Sequence, residues 1–163
     1  MAAREPGTPA TLALARAGIA FTAHSYEHDP RASSFGLEAA DALGLDPDEV
    51  FKTLLAMVDG RAVVGIVPVS GSLDLKALAG AAGGRRAEMA DAATAQRLTG
   101  YVLGGISPIG QKRTLPTFVD DTAELLDTVY VSGGRRGFDI GLAPADLLAV
   151  TGGTYARIGR PEH

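Results

Sequence analysis

A chain of 163 residues, 46% hydrophobic and 21% charged, has enough apolar mass for a buried core and too little charge for disorder, so one globular domain spanning 1–163 is expected. A net charge of −4 gives no overall pull toward nucleic acid, DNA is not an expected partner, and any RNA contact must come from local clusters of base. The absence of cysteine excludes disulfides, thiolate-bound zinc and a protein thiol nucleophile together.

Imidazole is available only from His24, His28 and the terminal His163. That argues against a metal site or a Ser–His pair and leaves only Asp and Glu for magnesium, so no metal and no other cofactor is expected. No apolar run reaches the roughly 18 residues a membrane span needs. The opening MAAREPGTPATLALARAG holds an acid, a Pro-Gly pair and only a short apolar stretch, a poor signal peptide. The expected compartment is the cytoplasm, without membrane contact.

In chain order, residues 8–17 have the spacing of a short helix ended by Gly18, and IAFTAHSYEH (19–28) alternates like a strand. Ser33 or Ser34 caps a helix running through Glu38 to Leu43, stopped by Gly44. Strands 50–58 and 62–69 flank Asp59-Gly60, a strong hairpin signal. SGSLDLKALAGAAG (70–83) predicts a Ser-capped helix, followed by a short strand at 86–89 and a helix over 91–98. The glycines and prolines of 99–120 predict a structured loop leading into a strand at 116–120. DTVYVSGG and GFDIGLAP predict two strands separated by a Gly-rich turn, followed by a helix at 144–150 and a last strand at 154–158. Many short strands with irregularly placed helices point to an α+β fold with a mixed sheet, open to closure into a barrel.

Lys52 in VFKTLLAMV raises a question, because it shares a strand face with Leu54, Ala56 and Val58. Either its stem lies along the core while the ammonium reaches water, or it lines the mouth of a pocket. Asp139 in GFDIGL poses the same question with the opposite charge: turned inward it needs a hydrogen-bond partner or a cation such as Lys52. Tyr26 in HSYEHDP is open between packing and a functional hydroxyl.

Six of the fifteen bases stand in three pairs, Arg85-Arg86, Lys112-Arg113 and Arg135-Arg136. Two of the loops concerned, LGGISPIGQKR and VSGGRRGFD, are rich in glycine. Such loops either make tight turns that the bases solvate, or aim backbone N–H groups and guanidinium forks at a phosphate or an oxyanion. Neither fits a P-loop, a dinucleotide fingerprint or a nucleophile elbow, and no histidine is placed to activate Ser107, which is read as shaping the turn at Pro108.

Taken in order, YEHDP, VFKTLL, VPVSGSLDLKALA, AEMAD, TGYVLGGISPIGQKR, LPTFVD and VYVSGGRRGFDI resemble the YbaK type of the YbaK/EbsC family over residues 10–158. These are free-standing Cys-tRNA(Pro)/Cys-tRNA(Cys) deacylases related to the editing domain of bacterial prolyl-tRNA synthetases. The resemblance implies a mixed, barrel-like β-sheet with flanking helices, and a pocket for the mischarged acceptor end of tRNA, with prolyl-tRNA synthetase as a possible partner. It implies hydrolysis of the aminoacyl ester of Cys-tRNA(Pro). Such editing is needed because a small size difference discriminates only about 10–200-fold.

The resemblance puts Lys52, Tyr26, Asp139, Gly104 and Gly105 in the catalytic site. It puts Phe35 and Ser132 against the substrate, together with the loop Gly133-Gly134-Arg135-Arg136; Lys112 and Arg113 would join the other bases in bracketing the acceptor-stem phosphates. Gly141 departs from relatives that often carry an acid there. The family also implies substrate assistance: the cysteinyl thiol attacks its own carbonyl while the protein holds the geometry and stabilises the oxyanion, with Gly104 and Gly105 as candidate donors. Lys52 would hold a phosphate or ribose oxygen or the developing charge, Tyr26 would bond the substrate's polar atoms, and Asp139 would orient Lys52 or bind the α-amino group. The alternatives are deacylation of another mischarged tRNA such as Ala-tRNA(Pro), or a non-catalytic RNA-end or nucleotide-binding module.

Overall fold

The computed structural model describes residues 7–32 and 34–161. Helix α1 (Pro9–Ala17) begins at a reciprocal cap between Thr8 and Thr11 and ends at Gly18 in the left-handed region. Strand β1 is only Thr22–Ser25, shorter than the 19–28 expected. The start of that stretch is taken up by the helix cap, where the Ile19 N–H donates to the Leu14 carbonyl. Helix α2 (Phe35–Leu43) is capped by Ser34, whose hydroxyl accepts the Leu37 N–H; Ser33 lies outside the described residues.

Strands β2 (Phe51–Val58) and β3 (Arg61–Pro68) form the expected hairpin around Asp59-Gly60. The Asp59 carboxylate reaches across to accept the backbone N–H groups of Arg85 and Arg86 at 2.9 and 3.1 Å. That basic pair therefore has its amides engaged by a carboxylate of the same chain.

The stretch 70–83 corrects the expected Ser-capped helix. Gly71–Leu73 is strand β4, and helix α3 (Leu75–Ala81) starts one residue after Asp74, whose carboxylate caps the Ala77 N–H at 3.0 Å. Residues 71–73 are drawn into a sheet because β10 (Gly159–Pro161), which sequence reading missed, pairs with them. At Gly71 a Cβ would lie 2.5 Å from the Arg160 carbonyl oxygen, so glycine permits this approach.

The remaining elements are β5 (Ala87–Met89), α4 (Ala92–Thr99), β6 (Thr117–Asp120), a 3-10 turn (Asp121–Leu125), β7 (Val129–Arg135), β8 (Phe138–Leu142), α5 (Pro144–Thr151) and β9 (Thr154–Ala156). Gly133 and Gly134 belong to β7, where the register to β8 shifts between Ser132 and Arg135, and the turn is made further on, at Arg136-Gly137. Glycine is needed inside the strand because a Cβ at Gly133 would strike the Phe138 ring at 2.4 Å.

A five-stranded mixed sheet runs β5-β2-β3-β6-β9, antiparallel from β5 to β3 and parallel beyond. A three-stranded antiparallel sheet runs β1-β8-β7, and β10-β4 is a separate pair. The fold is mixed α+β, but the described strands form three sheets and do not close into the expected barrel. The two larger sheets meet through a single parallel bridge between Val50 and Tyr130, too little pairing to close a cylinder.

Both faces of β2 are packed. Phe51 and Leu55 join Ile66, Val131, Phe138 and Ile140 in one core; Ala56 and Val58 join Val63, Val67 and Leu78 in another. One edge of β2 is paired to β3 along its whole length, whereas β5 covers the other edge only from Ala56 to Val58. Residues 52–54 thus have no strand partner on that edge among the described residues, and the candidate site forms there. Among the described residues no helix is long and apolar enough to cross a membrane.

Candidate active site

A cavity of about 250 Å³ opens beside that edge, between α2, β2, the central glycine loop and the three-stranded sheet. Tyr26, Phe35, Lys52, Gly104, Ser132 and Asp139 all line it. Residues scattered over more than a hundred positions are brought together because β1, β8 and β7 lie side by side, with Asp139 directly across from His24 on one neighbour and Ser132 on the other. A larger cleft of about 600 Å³ lies elsewhere, bordered by Asp48, Asp121 and Arg157, and holds none of the candidate residues.

Asp139 is 6% exposed and forms no ion pair with Lys52 or with another described cation. Burial pushes its carboxyl up to about 7. Near neutral pH it therefore exchanges between a donor and an acceptor. The Tyr26 hydroxyl is pushed up to about 12, first by burial and then by the charges of Asp139 and Glu38, and stays a proton donor. Lys52 is half-buried, its backbone opposite Val67 and its side chain bordering the cavity.

Thr53 also lines the cavity, and sequence reading missed it. Its hydroxyl is buried and has no hydrogen-bond partner among the described residues. Thr53 shares a face with Phe51 and Leu55, so the available signal was a hydroxyl on the core-directed row of an apolar strand.

Gly104 has φ +83, and a Cβ there would lie 2.8 Å from the Phe35 ring and 3.0 Å from Arg136 Nε. Gly105 packs on the hairpin backbone, where a Cβ would lie 2.7 Å from Arg135 Cα. The Gly105 N–H donates to the Val102 carbonyl at 2.9 Å, whereas the Gly104 N–H meets no acceptor among the described residues. Gly104→Ala is expected to lose about 1–3 kcal/mol in chemical denaturation and to lower deacylation, because the left-handed backbone and the Phe35 contact both resist a side chain.

Apart from Ser132, the other candidates lie outside the cavity lining. Ser132 Oγ, inside it, accepts the Gly134 N–H at 3.2 Å, while Gly134 itself packs under Tyr101 and Thr8. Arg135 stacks over Phe138 at 4.9 Å, and Arg136 over Phe35 at 5.3 Å. Lys112 and Arg113 are exposed at the end of α4, with their N–H groups on the Thr99 and Leu98 carbonyls; Arg113 borders a separate cavity of about 200 Å³. Ser107 is fully buried and accepts the Ile109 N–H at 3.2 Å, as expected of a turn-shaping residue.

Residues 29–150 match the family model for the aminoacyl-tRNA editing domain. The chain belongs to that family. EbsC of Enterococcus faecalis, named as a candidate Cys-tRNA(Pro)/Cys-tRNA(Cys) deacylase, is 39% identical to this editing domain over 124 residues, 76% of each chain. A proline–tRNA ligase of Maridesulfovibrio salexigens is 31% identical over 100 residues, 61% of this chain and 17% of the ligase. A crystal structure described as a candidate trans-editing enzyme for prolyl tRNA synthetase superposes with a TM-score of 0.83 at 25% identity, covering 93% of this chain and 95% of that one. The editing domain is an aminoacyl-tRNA deacylase.

Gly141, where this editing domain departs from the resemblance, seats a ring. A Cβ there would lie 2.7 Å from Tyr130 and 2.8 Å from Thr22 Oγ1, and the Tyr130 ring reaches across to an edge contact with His24 at 5.5 Å. The space an acidic side chain would fill is occupied by Tyr130.

Proposed function

We propose that this editing domain removes cysteine from Cys-tRNA(Pro), with the substrate's own thiol as nucleophile. The reading rests on one observation: a cavity sized for a small aminoacyl group, whose described lining offers hydroxyls, a lysine and a buried carboxyl but no thiol or imidazole. A serine or threonine hydroxyl in such a cavity has no imidazole to activate it.

The cysteinyl sulfur attacks the ester carbonyl, the bond to the terminal ribose oxygen breaks, that oxygen takes the proton the thiol gives up, and a cyclic thiolactone leaves to be hydrolysed in water. Lys52, bordering the cavity, stabilises the charge that develops on the oxygens. Of the two loop glycines, Gly104 borders the cavity and is the candidate backbone donor, since the Gly105 N–H is engaged by Val102. With no salt bridge to Lys52, the ionised Asp139 is suited to the substrate's α-ammonium group, and Tyr26 donates to a carbonyl or ribose oxygen. The names of EbsC and of the solved trans-editing relative support tRNA(Pro) as the carrier and prolyl-tRNA synthetase as a partner.

The test is release of amino acid from tRNA(Pro) charged with cysteine or alanine. Cysteine is expected to be released at least about tenfold faster than alanine, which carries no thiol. Equal release would favour an alanine-editing enzyme, and release of neither would favour a non-catalytic RNA-end module.

A further inference from the structure

We propose that Arg136 is a positioning residue that latches the outer wall of the pocket, holding Phe35 against the Gly104 loop, and that its guanidinium serves this wall in place of an RNA phosphate. The inference rests on the deacylase reading for the pocket's activity. The latch itself stands on geometry. The guanidinium lies 5.3 Å over the Phe35 ring, and its Nε–H donates to the Leu103 carbonyl at 2.7 Å. One side chain thus ties the β7–β8 turn to both Phe35 and the loop at 103–104, and Phe35, Leu103 and Gly104 all border the cavity.

The rest of the surroundings fix the same three segments. The Phe35 ring meets His28 at 5.6 Å, His28 Nδ1 is 2.8 Å from Glu38 Oε1, and Glu38 Oε2 accepts the Asp29 N–H at 2.6 Å. The Tyr26 N–H donates to the Gly137 carbonyl at 2.9 Å, so the turn that carries Arg136 is anchored to the chain just before His28. Gly104 is held to glycine by both partners of the latch, as its absent Cβ would meet Phe35 and Arg136 Nε together. Stacking and an aligned Nε–H donor need a planar guanidinium, which an ammonium does not replace.

That difference gives the experiment. Deacylation by Arg136→Lys and Arg136→Met is measured across a salt series, and amide hydrogen exchange is followed in the free proteins. As a latch, Arg136 makes the two variants alike: each loses about tenfold in kcat/KM, with the salt dependence of the wild type, and residues 102–106 exchange faster in both. A lysine variant that keeps wild-type kcat/KM, with a methionine variant whose salt slope falls by about one, would assign Arg136 to a phosphate and overturn the latch. Unchanged exchange at 102–106 would also overturn it. If the wild type releases no amino acid, the deacylase reading fails by itself, and the exchange measurement still decides the latch.

Discussion

Lys52→Ala is expected to lower kcat/KM for Cys-tRNA(Pro) by at least about a hundredfold, the loss that follows removal of one group placed on developing charge. The fold should survive the change. Lys52 is half-buried, takes its place in the β2–β3 ladder through its backbone, and is absent from the ion pairs that tie other segments together. Lys52→Met separates charge from packing, since it keeps an unbranched stem of similar length. The two variants should lose activity equally while their thermal midpoints stay near that of the wild type. Recovery of activity in Lys52→Met would reduce Lys52 to a snorkelling strand end.

Asp139→Asn is expected to make the protein more stable and less active. An aspartate that ionises near 3.8 when unfolded and near 7 when folded holds its proton longer in the folded state. The stability this gives is complete below about 4 and is lost as pH rises to about 7, remaining flat above. A shift of about three units corresponds to roughly 4 kcal/mol, an upper bound on what the asparagine variant gains at pH 8. At pH 4 the two proteins should unfold alike. Denaturation curves at the two values check this, and a difference independent of pH would mean that the carboxyl ionises equally in both states. Deacylation should fall in the same variant, because the amide carries no charge for the α-ammonium group. A site that is less stable for holding a carboxyl in an apolar wall fits the usual trade between stability and function.

The elements with local signals were legible: the Asp59-Gly60 hairpin, the helices ended by Gly18 and Gly44, and the Pro144 helix all stand as read. What escaped depended on distant partners. Gly71–Leu73 carries helix-like neighbours, yet β10 from the far end of the chain draws it into a sheet. Gly133-Gly134 borders the Gly-rich turn read from the sequence and lies in β7, where Phe138 and Tyr101 occupy the space a Cβ would need. The lone lysine of an apolar strand and the inward aspartate drew notice in the sequence through their charge. Thr53 did not, because a hydroxyl on a strand is ordinary until its neighbours are seen to leave it without a partner. The arginines beside glycine read as anion ligands from their type and setting; that Arg135 and Arg136 also stand over aromatic rings emerges only from the packing.

Whether the substrate supplies the nucleophile is decided by comparing Cys-tRNA(Pro) with Ser-tRNA(Pro), whose side chains are nearly isosteric and differ in the attacking atom. With purified protein and equal charging, cysteine is expected to be released rapidly and serine close to the uncatalysed rate. Release of serine at a rate comparable to cysteine would show that the pocket activates water or a residue of its own, and would rule out the substrate thiol as the required nucleophile.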